Sequence, residues 1–106
     1  NLRGLVTKAY DDLFEHYDAP IMPTVPFRAT PITEQSTPIL EQAGFVHAML
    51  GNTCPVNMTG HPSINVPCGM EDDLPIGMMV IGRRYDELTV LQISDTFERI
   101  GDWRDM

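Results

Sequence analysis

The chain has 106 residues, of which 42% are hydrophobic, and its formal net charge is −8 at pH 7. A chain of this length is enough for one domain with a core, and no apolar run approaches the roughly 20 residues of a membrane helix. The acidic balance argues against nucleic acid and anionic membranes as direct partners, because both would repel the chain.

The first predicted element is an amphipathic helix over residues 1–17. Its apolar residues recur at the i, i+3, i+4 spacing: Leu2, Leu5, Val6, Ala9, Tyr10, Leu13, Phe14 and Tyr17. The acidic residues Asp11, Asp12 and Glu15 fall mostly on the other face, where we interpret them as solvated rather than as a metal site. Because the sequence starts at Asn1 inside this helix, without a methionine, we expect a fragment of a longer protein.

A short strand at 18–22 and a proline-rich stretch at 23–38 follow the helix. Proline fixes φ and lacks an N–H, so regular structure is not expected over the second stretch. Nothing in the sequence indicates a partner for this loop within the chain. A loop of that length is long for a small domain, and we expect it to pack on sequence outside this chain.

Two helical segments are predicted in the middle of the chain. A helix covers 41–51, and a short helix or turn covers 52–59. Gly60 can adopt a positive φ and end the second segment, while Pro62 cannot continue it.

Two strand candidates come next, at 63–67 and 75–82. The first alternates polar and apolar residues, and the second is apolar on both faces, which is typical of a strand inside a layered sheet. The acidic segment between them favours a turn, so we predict an antiparallel pair. Few helices are available to cover this pair, which again indicates packing partners outside the chain.

The last predicted element is a helix over 86–100, with Asp86 as its N-cap and Gly101 as the residue that ends it. Its predicted apolar stripe consists of Leu88, Leu91, Ser94 and Phe97, widened by Val90, Ile93 and Ile100. The predicted fold class is therefore α/β, with about three strands and three to four helices.

No nucleophile lies beside a base in the sequence, so we predict no catalytic residue in this chain. None of the serines lies in a G-x-S-x-G turn: Ser36, Ser63 and Ser94. Lys8 is separated from all of them by a predicted helix and loop. Cys68 has no activating neighbour in the sequence, and we interpret His61 as a turn residue that bonds locally rather than as a general base.

The two cysteines, Cys54 and Cys68, do not have the spacing of a zinc site. We interpret them as free thiols in a reducing cytoplasm rather than as a disulfide. No metal and no cofactor is predicted, and no signal peptide precedes the first motif.

Three motifs occur in order along the chain. They are Met-Pro-Thr-x-Pro at 22–26, shortly after Tyr17-Asp18, Asn-x-Thr-Gly-x-Pro at 57–62, and Leu-Pro-Ile-Gly…Ile-Gly-Arg at 74–83. Together they resemble the carboxy-terminal part of the amidase signature family, over about Tyr17 to Glu98. The closing Gly-Asp-Trp at 101–103 is similar to the tails of amidases found beside nitrile-converting enzymes.

The resemblance implies a fragment of a large mixed β-sheet covered by helices, with residues 1–106 as the carboxy-terminal part of a single amidase domain. It implies hydrolysis of a carboxamide to a carboxylate and ammonia by a Ser–cis-Ser–Lys triad. In the family that triad lies in the amino-terminal and central parts, and no residue here matches it. The isolated chain is therefore expected to be inactive.

The resemblance also implies that side chains around Asn-x-Thr-Gly-x-Pro approach the acyl pocket. The candidate pocket-wall residues are Thr53, Cys54, Asn57 and His61. The implied partners are a small-molecule amide and the amino-terminal remainder of the enzyme, with a homodimer left open. Two alternatives stay open: a protein similar to the A-type subunit of an amidotransferase, and a small non-catalytic binding module.

Overall fold

The computed structural model describes all 106 residues and confirms the α/β class. The elements are α1 (Leu2–Leu13), β1 (Ile21–Pro23), α2 (Ile39–Met49), α3 (Thr53–Thr59), β2 (Ser63–Glu71), β3 (Leu74–Ile81), α4 (Glu87–Glu98) and a 3-10 turn at Trp103–Asp105. The first helix is shorter than predicted, and β1 begins later, at Ile21. None of the helices combines the length and hydrophobicity that a membrane crossing requires.

The three strands form one antiparallel sheet in the order β1-β3-β2. The predicted antiparallel pairing of β2 with β3 is confirmed, and it extends further than expected, to Glu71 opposite Leu74. Asp72 and Asp73 join them with φ values of 50° and 60°. Two consecutive residues with positive φ are typical of a type I′ turn, whose twist matches that of the flanking strands.

The register of the β2–β3 pair shifts by one residue in the middle of the hairpin. Pro67 lies opposite Gly77 and Gly69 lies opposite Ile76, so Cys68 is the extra residue of a β-bulge. Pro67 has no N–H to contribute to the ladder, which fits its position next to a bulge.

The sheet is covered on both faces by helices. Met79 and Ile81 pack with Phe14 and Val56 on the face that α1 and α3 cover. Val80 alternates to the other face, where α4 packs against both long strands. The central strand is therefore buried on both sides, as its apolar sequence predicts.

The covered part of the sheet is small. The molecule measures 48 × 43 × 17 Å, and 12 of its 106 residues are buried. Its radius of gyration is 16.0 Å, whereas a compact domain of this length has about 13 Å. Large apolar side chains on α1, α2 and α4 consequently remain open to solvent.

The apolar stripe of α4 differs from the prediction. Asp86 caps the helix as predicted, because its Oδ1 accepts a hydrogen bond from the Thr89 N–H. Val90 and Ser94 are the buried residues, whereas Leu88 and Leu91 are 64% and 55% exposed. The predicted stripe combined two helix faces, and only one of them contacts the sheet.

The start of the proline-rich segment has partners within the chain, which the sequence did not indicate. Thr24 pairs with Asn65 of β2, and Arg28 forms an ion pair with Asp72 of the hairpin turn. Asn52 Nδ2 also donates to the Pro23 carbonyl oxygen at 2.8 Å. These contacts fasten the start of the loop to the sheet, while residues 29–36 remain exposed.

Candidate functional site

Helix α3 places three of the four predicted pocket-wall residues on one side. Thr53 and Asn57 lie one turn apart, and Cys54 lies three residues before Asn57. Gly60 ends the helix with a φ of 74°, and its N–H donates to the Val56 carbonyl oxygen at 3.0 Å. The predicted end of the helix at Gly60 is thus confirmed.

Cys54 is exposed at the edge of an open groove of about 520 Å³ between α1, α2 and α3. The groove is lined by Leu2, Val6, His47, Leu50, Gly51, Cys54, Pro55 and Met58. None of these is a carboxylate, a lysine or an arginine, so the surface beside Cys54 is predominantly apolar. The free state of Cys54 and Cys68 agrees with the prediction of unpaired thiols.

His61 does not share this surface. Its side chain has no solvent exposure, and its ring lies against Phe14 at 5.3 Å and Tyr10 at 5.4 Å between centroids. The Nδ1 atom lies 2.8 Å from Thr59 Oγ1, the local bond that the sequence predicts. The structure therefore brings Thr53, Cys54 and Asn57 together and places His61 in the contact between α1 and α3.

The Asp11 side chain is 42% exposed, as a solvated helix face predicts, but it also contacts residues from two other parts of the chain. Its Oδ2 accepts a hydrogen bond from Arg84 at 2.8 Å, and its Oδ1 lies 3.4 Å from His61 Nε2. The second distance is within ion-pair range, but the two atoms form no hydrogen bond. Burial lowers the pKa of His61, and nearby Asp11 opposes that shift.

The Asp11–His61–Thr59 array has the residue types of a catalytic triad but not its accessibility. Thr59 is 3% exposed, and its hydroxyl donates to the Val56 carbonyl oxygen of its own helix at 3.2 Å. A substrate carbonyl has no route to this oxygen. No local pattern identifies the whole array, because Asp11 belongs to α1 and meets Thr59 and His61 only in the folded chain.

The remaining nucleophile and base candidates lie apart from one another. Lys8 pairs with Asp12 at 2.7 Å on the exposed side of α1. Ser94 is buried and donates to the Val90 carbonyl oxygen at 2.8 Å, whereas Ser63 is exposed at the start of β2. No serine of the chain contacts a lysine.

Two arginines beyond β3 connect the sheet to α1, and sequence reasoning missed both. Arg83 donates to the Phe14 carbonyl oxygen at 2.6 Å, close to the end of α1, and Arg84 pairs with Asp11. Both guanidinium groups thus act as structural contacts in this chain.

Comparison with known proteins gives one family. Residues 1–91 match the model described as Amidase. An uncharacterised protein in the nthA 5′ region of Rhodococcus erythropolis is 38% identical over 103 residues, which are 94% of this chain and 50% of that protein. The A-type subunit of glutamyl-tRNA(Gln) amidotransferase from Bacillus velezensis is 40% identical over 101 residues, which are 95% of this chain and 20% of that protein.

Solved structures share the same fold over nearly the whole chain. The crystal structure of a bacterial aryl acylamidase of the amidase signature family has a TM-score of 0.73 and 30% sequence identity. The alignment covers 96% of this chain and 22% of the acylamidase. The chain therefore spans between a fifth and a half of the length of these relatives.

Proposed function

The chain belongs to the amidase signature family, and from this membership we propose that it forms the carboxy-terminal part of an amidase. That enzyme would hydrolyse a carboxamide to a carboxylate and ammonia. The match to the family model over residues 1–91 carries the proposal. The Ser–cis-Ser–Lys triad would lie in a preceding part of the enzyme, in agreement with the lack of any serine–lysine contact in this chain.

The role of this part would be to complete the sheet and to supply one wall of the acyl pocket. Thr53, Cys54 and Asn57 support that role, because α3 presents them on one side. The Asn57 amide is exposed and can both donate and accept hydrogen bonds, as recognition of a carboxamide requires. The apolar groove beside Cys54 suits an uncharged acyl group.

An amidotransferase is the second candidate, and the 40% identity to the Bacillus velezensis protein favours it. In that case the enzyme would release ammonia from a glutaminyl substrate for use on a charged transfer RNA. A non-catalytic binding module is less well supported, because the open apolar faces of the helices indicate missing packing partners.

A chimaera tests the proposal. The matching carboxy-terminal segment of the aryl acylamidase is replaced by this chain, and the release of aryl amine from an anilide and of ammonia from aliphatic amides and glutamine is measured. We expect the chimaera to regain amide hydrolysis that the truncated acylamidase lacks. A matched control carries Val80→Asp, which places a charge at a position with no solvent exposure and should prevent assembly.

The substrate panel separates the two enzyme candidates. Turnover of anilides or aliphatic amides supports the amidase, and turnover of glutamine alone supports the amidotransferase. A folded, monodisperse chimaera that hydrolyses none of these substrates would contradict both. Upstream coding sequence gives an independent check, since both candidates predict a Gly-Gly-Ser-Ser stretch within the preceding few hundred residues.

A further inference from the structure

One ring nitrogen of the buried His61 has no hydrogen-bond partner. The Thr59 hydroxyl donates its single proton to the Val56 carbonyl oxygen, so His61 Nδ1–H donates to Thr59 Oγ1 at 2.8 Å. This assignment, made from the hydrogen-bond network, leaves a lone pair on Nε2 of the neutral ring. That lone pair faces the Asp11 carboxylate at 3.4 Å without a proton between them.

Charged and polar groups face the ring from each element packed around it. Helix α1 contributes the Asp11 carboxylate and the phenol ring of Tyr10, and α3 contributes the Thr59 hydroxyl. The segment after β3 contributes Arg84, which already pairs with Asp11 at 2.8 Å. A proton on His61 would therefore create a second cation beside a single carboxylate, in a place with no solvent exposure.

We propose that His61 makes the contact between α1 and α3 sensitive to pH, so that the neutral ring holds the two helices together and its protonation separates them. A buried imidazolium loses its hydration, and Asp11 can compensate only partly while it also pairs with Arg84. Separation of the helices returns the ring to water. Since α3 carries Thr53, Cys54 and Asn57, the change would also displace the proposed pocket wall, a consequence that rests on the proposed function.

The direction of the pH dependence follows from the burial of the ring. Burial lowers the pKa of His61 in the closed contact, while the nearby Asp11 charge raises it and Arg84 lowers it. In the separated state the exposed ring titrates near its ordinary value of about 6.5. Above that pH the equilibrium constant for closing the α1–α3 contact is constant. As the pH falls toward the lowered pKa, this constant decreases by up to about tenfold per pH unit, and below the lowered pKa it stays constant again.

Hydrogen–deuterium exchange of this chain within the acylamidase chimaera, where its exposed apolar helix faces are covered, tests this inference without any activity assay. Protection of peptides from α1 is compared with that of peptides from α4, after correction for the intrinsic pH dependence of exchange. Helix α4 packs on the opposite face of the sheet and contains no histidine, so it is the internal reference. We expect the ratio of α1 to α4 protection to fall between pH 7.5 and pH 5.5, by up to about tenfold.

Three variants isolate the responsible groups. In Asp11→Asn the amide can donate to Nε2 and the charge that favours protonation is lost. The fall in protection should still begin at about pH 6.5 but should continue to a pH about one unit lower than in the unmodified chain before it levels off. Asp12→Asn removes the same charge from the exposed side of α1 and should leave that lower limit unchanged. His61→Asn keeps a donor for Thr59 but cannot be protonated, and it should abolish the change.

Several results would overturn the inference. They are a constant protection ratio in the unmodified chain, an equal shift in the Asp11 and Asp12 variants, and a pH response that persists in His61→Asn. An α1 that is unprotected already at pH 7.5 would also overturn it, because the contact would then not form in solution. None of these results depends on whether the chimaera hydrolyses amides, so the two proposals fail separately.

Discussion

Separated from the remainder of the proposed enzyme, this chain is predicted to be only loosely packed. Leu2 and Leu5 of α1 are each 68% exposed, while Val46 of α2 and Leu50 just after it are 50% and 46% exposed. Burying one large aliphatic side chain contributes about 1.5–3 kcal/mol, so each of these residues leaves about 1–2 kcal/mol unrealised. The four residues together lack about 4–8 kcal/mol of stabilisation from burial. This is comparable to the net stability of a typical domain, which is about 5–15 kcal/mol.

Chemical denaturation measures how much stability the isolated chain lacks. The isolated chain and the acylamidase chimaera are unfolded in urea, and sedimentation reports whether each is monomeric. We expect the chain alone to aggregate or to lose structure gradually, and the chimaera to unfold cooperatively. A Leu5→Lys variant should reduce aggregation of the isolated chain but weaken the chimaera, because only the chimaera covers that residue.

The opposite outcome would refute the reasoning. A monomeric isolated chain with a sharp transition and several kcal/mol of stability would mean that the exposed apolar side chains cost little. The chain would then be a complete domain, and a non-catalytic binding module would become the favoured function.

Three further predictions concern single positions and are measured by denaturation of the chimaera. Ile81→Ala, at a residue with no exposure, should lower the free energy of unfolding by about 2–5 kcal/mol, whereas Ile32→Ala, at a 97% exposed residue, should change it by less than about 0.5 kcal/mol. Asp86→Ala removes the acceptor for the Thr89 N–H and should cost about 1 kcal/mol, seen as a lower urea midpoint. Asp73 has a φ of 60°, which glycine adopts without strain, so Asp73→Gly should raise the urea midpoint. A lower midpoint would contradict this reasoning.

Local patterns predicted the hairpin and the end of α3 because both depend on neighbouring residues. The acidic turn after β2 and the positive φ of Gly60 are examples. The side of α4 that packs could not be chosen in this way, since Leu88 and Val90 are equally apolar and only the position of the sheet distinguishes them. The fold class therefore followed from the sequence, while the packed face of α4 required the tertiary structure.

For the candidate site, too, only part of the arrangement could be predicted from the sequence. The resemblance to the amidase signature family named Thr53, Cys54, Asn57 and His61 together, and only the structure shows that the first three lie on α3 and that His61 follows it. The contacts of Asp11 were not predictable, because its partners His61 and Arg84 lie far away in the sequence. Long-range ion pairs of this kind carry no periodicity that a single sequence reveals.

The β-bulge at Cys68 determines how the isolated chain would self-associate. Strand β2 lies at one edge of the sheet, and an uninterrupted edge of nine residues would be a template for strand addition. The register shift and the missing N–H of Pro67 interrupt that edge, and β1 at the other edge has only three residues and ends in Pro23. Aggregates should therefore join through helix surfaces, remain amorphous and fail to bind thioflavin T, rather than grow as cross-β fibrils.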